Sequence, residues 1–186
     1  VSPAFRMDVN VPLVAPEVNP EAVDGWRARR ILAVPGAAAA QLAAVLAPLD
    51  RAAGVRRVTV TALLSASGLG RRAMDELFVQ TKGVYVNQAP EPKEFAKQIA
   101  FNLIPQAGDY LDDGATDEEA RLREELGKLL GREIDMVATC IQAPVFVGDS
   151  LAVHLELDRP LGATDARALL RQSPGLMVVD NREEET

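Results

Sequence analysis

The stretch 31–41 constrains the chain most. The apolar run Ile31-Leu32-Ala33-Val34 stops at Pro35-Gly36, and the alanine-rich run from Ala37 begins a helix at once. A strand that breaks into a helix N-terminus sets free backbone N–H groups beside the turn, and a reactive side chain there would be activated by them. Here the turn carries only glycine and alanine. It has the outline of a catalytic turn without a group that could do catalysis.

The periodicities around it predict an α+β fold, a mixed β-sheet with helices packed mainly on one face. The sequence predicts a helix over 37–53 closed by Gly54, with Pro48 kinking it or ending its regular part. A strand is expected over 55–66, where Val58, Val60 and Ala62 alternate with Arg57, Thr59 and Thr61. The small-residue loop 65–70 leads to a helix over 71–82, with Met74, Leu77 and Phe78 on one face and Gly83 as its stop. Phe95, Ile99 and Phe101 are expected to point inward. Thr116-Asp117-Glu118-Glu119 reads as a capping box opening a helix that ends at Gly131. The run 135–147 and the alternating run 151–157 are expected to form an antiparallel pair joined at 148–150. A short helix capped by Thr164 and a last strand over 176–179 complete the expectation.

Composition narrows the function. The 186 residues carry a formal net charge of −7 and no long basic run, which argues against a nucleic-acid or anionic-membrane partner. No apolar run is long enough for a membrane span. One cysteine, Cys140, excludes an intrachain disulfide and suits a reducing, cytoplasmic setting. With one His and one Cys, no metal site is expected. Cys140 reads as a buried structural thiol and His154, the only histidine, as a solvated strand residue. Ser65-Ala66-Ser67-Gly68-Leu69-Gly70 could cradle a phosphate before a helix, but reads more simply as a helix-entry loop. Glu118 and Arg121 are spaced as a surface ion pair. Both chain ends read as cuts rather than natural termini.

Five stretches carry a resemblance: Ser2-Pro3-Ala4-Phe5-Arg6-Met7-Asp8, Val11-Pro12-Leu13-Val14-Ala15-Pro16-Glu17-Val18-Asn19-Pro20, Ala73-Met74-Asp75-Glu76-Leu77, Gln98-Ile99-Ala100-Phe101-Asn102 and Ala143-Pro144-Val145-Phe146-Val147-Gly148. In this order they resemble the aspartate-β-semialdehyde dehydrogenase family. The resemblance implies residues 1–30 as the tail of a nucleotide-binding domain and linker, and 31–186 as a truncated catalytic and dimerisation domain. It implies NADP as cofactor of the longer family protein, with none in this fragment. It implies a homodimer, and a regulatory role would make an active dehydrogenase paralogue a further partner.

The family's chemistry runs through a cysteine thiolate, helped by a glutamine, a histidine and a carboxylate-clamping arginine. By resemblance the nucleophile position falls on Ala37, the asparagine before it on Gly36, the glutamine on Leu64, the arginine on Gln142 and the histidine on Asp149. Other positions match: Arg6 the phosphate-binding arginine, Glu118 and Arg121 the charged pair at the substrate, and Ser65, Ser67 and Gly68 the cofactor loop. The segment 139–150 is similar to the USG-1-like branch, including its Gln142 and Asp149. Without a thiolate the family's covalent mechanism cannot run. The expectation is therefore a non-catalytic homologue serving as a homodimerisation domain. The alternatives are an NADP-dependent dehydrogenase of amino-acid (lysine, threonine, methionine) biosynthesis and a regulatory subunit of an active paralogue.

Overall fold

Gly36 ends the extended run with φ −61° and ψ 156°, and helix α1 occupies Ala37–Ala53. The computed structural model describes residues 3–88 and 90–180. Ser2 of the first resembling stretch, and residues 181–186, lie outside them.

Helix α1 keeps its regular structure through Pro48. Leu42, Leu46 and Leu49 are buried along one side, each contributing roughly 1.5–3 kcal/mol on burial. Strand β1 (Val55–Leu64) follows, then a 3-10 turn over Ala66–Leu69 and helix α2 (Arg71–Tyr85). Helix α3 is Asp117–Leu130, β2 is Asp135–Gln142, β3 is Ser150–Leu157 and α4 is Ala163–Arg171. The three strands form one mixed sheet in the order β2-β1-β3, and the class is α+β as expected.

Two compact units divide the chain. One holds residues 1–58, 124–135 and 155–186, and its core includes Val11, Leu13, Leu42, Leu46, Val58 and Leu126. The other holds 59–123 and 136–154, where Leu77, Phe95, Ile99 and Ile104 close into a cluster with Ala66, Ala73 and Ala100.

The capping box forms as expected: Thr116 N–H donates to Glu119 at 2.8 Å, and Glu119 N–H to Thr116 Oγ1 at 3.4 Å. Several expectations are corrected. Residues 31–34 form no strand. Ala33 makes a single parallel bridge to Leu13, because Pro12 and Pro35 have no N–H to extend a ladder. The expected β2–β3 hairpin is absent, with β1 lying between the two. Residues 143–146 instead bond the end of β1 and the chain after it: Ala143 N–H donates to Leu64 O, Ala66 N–H to Val145 O and Ser67 N–H to Phe146 O. Strand β2 therefore ends at Gln142, short of the expected 147. With β1 interposed, Cys140 and His154 lie on strands that do not pair.

Helix α2 continues through a buried Gly83 to Tyr85. Phe78 on it is exposed, under the Lys82 ammonium at 5.2 Å. Phe101 is also exposed, with φ +59° and its ring edge-on to Tyr85 at 5.7 Å. The cap of α4 is Gly162, whose carbonyl accepts from Ala166, rather than Thr164. Residues 176–179 have no strand partner among the described residues. The described part of 86–116 holds its course without long regular elements. Gln80, fully buried, accepts the N–H groups of Ile99 and Ala100, while Glu76 takes those of Lys93 and Glu94.

Candidate functional site

In the first unit the turn before α1 is built around a buried carboxylate. Glu125 on α3 accepts the Gly36 N–H at 2.6 Å through Oε2, and the Arg6 guanidinium at 2.9 Å through Oε1. Glu125 is only 2% exposed. A Cβ at position 36 would sit 3.3 Å from Arg6 Nη1 and 3.4 Å from Glu125 Oε2, so the turn is tight enough to favour glycine. Arg6 Nε is buried without an acceptor among the described residues. One turn further along α3, Lys128 Nζ donates to the carbonyls of Arg6, Asp8 and Val11 at 2.7, 2.8 and 2.9 Å. Burial holds that ammonium below the ordinary lysine range, with Asp8 opposing the shift. Ala37, the first residue of α1, presents an exposed methyl.

In the second unit Asp149 does for the loop 65–70 what Glu125 does for the turn. Asp149 Oδ1 accepts both the Ser65 N–H at 2.8 Å and the Ser65 hydroxyl at 2.9 Å, and Ser65 Oγ lies 2.9 Å from Ser67 Oγ. Gly68 is exposed, and a Cβ there would meet no atom within 4 Å. Leu64 is buried at the end of β1. Glu118 pairs with Arg121 at 3.1 Å, and Arg121 also meets Asp117. Gly108 needs its positive φ of +84°, and any Cβ there would collide with Asp117 Oδ1 at 1.7 Å.

Gln142 exchanges both backbone bonds with Ile104, and its side chain is buried with Oε1 lacking a donor among the described residues. Cys140 N–H donates to Glu119 Oε1 at 2.9 Å. Burial, then the nearby Glu118, Glu119 and Asp149 charges, pushes its thiol up to about 12, so it is an inert buried thiol. His154 is exposed on β3. No group of three or more His, Cys, Asp or Glu that could hold a metal occurs among the described residues, and no helix there is long and apolar enough to cross a membrane.

Of the residues named from sequence, Ser65, Ser67 and Asp149 meet directly, as do Glu118 and Arg121. Arg6 meets Gly36 through Glu125. Glu125 and Lys128 were not anticipated. Their signal was in the sequence as charges at 118, 121, 125 and 128, the spacing of one helix face.

A three-stranded sheet with helices around it is an α+β domain, and the family model described as "Semialdehyde dehydrogenase, dimerisation domain" matches residues 46–186. The chain is 38% identical over 180 residues to an aspartate-semialdehyde dehydrogenase of Rickettsia conorii, covering 97% of this chain and 53% of that relative. The crystal structure of aspartate semialdehyde dehydrogenase II from Vibrio cholerae superposes with TM-score 0.90 at 39% identity, covering 93% of this chain and 52% of that one. A probable aspartate-semialdehyde dehydrogenase from Pseudomonas aeruginosa gives TM-score 0.81 at 39% identity, covering 90% and 51%. The chain belongs to the semialdehyde dehydrogenase dimerisation-domain family. It spans about half the length of the relatives it matches.

Proposed function

We propose that the chain is a non-catalytic member of this family, of the USG-1-like branch, and serves as its homodimerisation domain. Residues 1–30 are then the tail of a nucleotide-binding domain, and 31–186 the dimerisation domain. The observation that carries the reading is Ala37: an exposed methyl stands at the head of α1, where the family resemblance places a thiolate. Leu64, Gln142 and Asp149 stand at the other catalytic positions, and none of them replaces a nucleophile.

A dimer is supported by the part of the sheet that lies in the second unit. There Thr59, Thr61, Val137, Thr139, Ala152 and His154 are exposed or half-exposed. They give a surface without formal charge made mostly of small side chains, suited to a second copy. Light scattering at micromolar concentration is expected to give twice the chain mass, and Val137→Asp to give a monomer. A monomeric wild-type mass would sink the dimer. Assay of the full-length protein with NADP, phosphate and aspartate semialdehyde is expected to give no turnover. Turnover that disappears on Asp149→Asn would overturn the non-catalytic reading.

A further inference from the structure

A 3-10 helix of nine residues spans Pro20–Ala28 in the first unit, and none of its residues is buried. Runs of that geometry seldom exceed three or four residues, because their hydrogen bonds are poorer than those of an α-helix. Trp26 near its end is 41% exposed, with the Arg27 guanidinium over the ring at 5.6 Å from the centroid. Arg30 N–H donates to Trp26 O at 2.7 Å, and Arg30 has φ +56°, uncommon for a side chain of its size, so the two residues share one fixed turn. Asp8 meets Arg29 at 3.6 Å. Neither Arg27 nor Arg30 has a carboxylate at ion-pair distance among the described residues, Glu21 and Asp24 of the same helix included. A guanidinium lying over an aromatic face keeps its in-plane N–H fork free, and that fork fits a carboxylate.

We propose that an acidic run of this same chain, Glu183-Glu184-Glu185, docks on Trp26, Arg27 and Arg30. The run belongs to 181–186, outside the described residues, a segment of three acids and one arginine. Charge complementarity selects it. The chain has a net charge of −7, so an acidic run meets net repulsion from the molecule as a whole and attraction at these arginines. Reach selects it too. Asp180 pairs with Arg167 on α4, in the same unit as Trp26. Gly175 abuts Glu17, where a Cβ would come within 2.7 Å of Glu17 Cγ, and Gly25 abuts Pro12, where a Cβ would lie 3.7 Å from the proline ring. The chain from Pro12 to Glu17 spans at most about 18 Å, and the chain from Gly175 to Glu183 can span about 27 Å. Once docked, a glutamate meets the outer edge of Arg27 and its methylene stem covers Trp26. The contact uses neither Ala37 nor Asp149, so it does not depend on whether the protein is catalytic.

Trp26 is the only tryptophan, so its fluorescence reads this surface. Quenching by acrylamide, an uncharged molecule, reports cover rather than charge. In the full chain at low salt, changing Glu183, Glu184 and Glu185 together to Gln is expected to raise the quenching of Trp26 roughly twofold, as charge-assisted bonds that hold the cover are lost. Raised salt is expected to do the same to the unaltered chain by screening, and to leave the triple variant unchanged. Arg30→Gln removes one cation, keeps the contact of Arg27 with Trp26, and is expected to give about half of the rise. A contact within one chain is insensitive to dilution, so the quenching is expected to hold over about a hundredfold range of protein concentration. Equal quenching of the full chain and the triple variant, or quenching that ignores salt, would overturn the proposal. So would cover that grows with concentration, which would place the acidic run on a second copy.

Discussion

Two turns in this molecule are held by a carboxylate from elsewhere in the chain, and they are held differently. Before α1, Glu125 takes the Gly36 N–H and is neutralised by Arg6 in a buried setting. After β1, Asp149 takes the Ser65 N–H and hydroxyl, is half-buried, and faces neutral donors. In both, a protein carboxylate satisfies a backbone donor. The difference is electrostatic. Removing the first carboxylate strands a cation, whereas removing the second strands only the neutral N–H and hydroxyl of Ser65.

Glu125→Gln is therefore expected to have the largest effect, a loss of about 3 kcal/mol seen as a lower urea midpoint, because it leaves Arg6 partly buried and uncompensated. Lys128→Met comes next, at about 2 kcal/mol, since three carbonyls lose one shared donor. A loss smaller than that of an exposed control lysine would show the 6–11 segment to be held by packing alone. Asp149→Ala should cost about 1 kcal/mol, with faster hydrogen exchange confined to Ser65 and its neighbours. Global destabilisation equal to that of Glu125→Gln would erase the contrast between the two turns.

Asp50 supplies the weakest case. It accepts the Val55 N–H at 2.7 Å and pairs with a more exposed Arg132. The Arg132 hydrogen bond holds its carboxyl below the ordinary range against the opposing effect of burial. A lowered folded pKa means that its stabilisation is complete above the unfolded value of about 3.9 and is lost as pH falls through the folded one. Asp50→Asn should thus lower the melting temperature slightly at neutral pH, with the difference shrinking as pH falls below the unfolded value of about 3.9. A difference that persists unchanged into acid would remove the charge from the explanation.

Local rules carried much of the fold. The bounds of α1 followed from Gly36 and Gly54, the capping box of α3 from four residues, and the alternation of β1 from its valines, because each depends on neighbours in the chain. The pairing of 135–147 with 151–157 failed because periodicity gives a strand's faces and not its neighbours. The inward reading of Phe78 and Phe101 failed because hydrophobicity alone does not say which side is covered. The stretch 86–116 was opaque for a related reason: its backbone donors are met by Gln80 and Glu76, from another element.

For the candidate site the division is similar. The sequence by itself determined that the turn at Ala37 holds no nucleophile, because no fold can give a methyl group a lone pair. Only the tertiary structure decided what stands around the two turns. Glu125 and Asp149 reach Gly36 and Ser65 across 89 and 84 residues of chain, and Gln142 keeps an acceptor that nothing local could have shown to be unmet. Those partnerships depend on distances that folding sets and that sequence spacing does not contain.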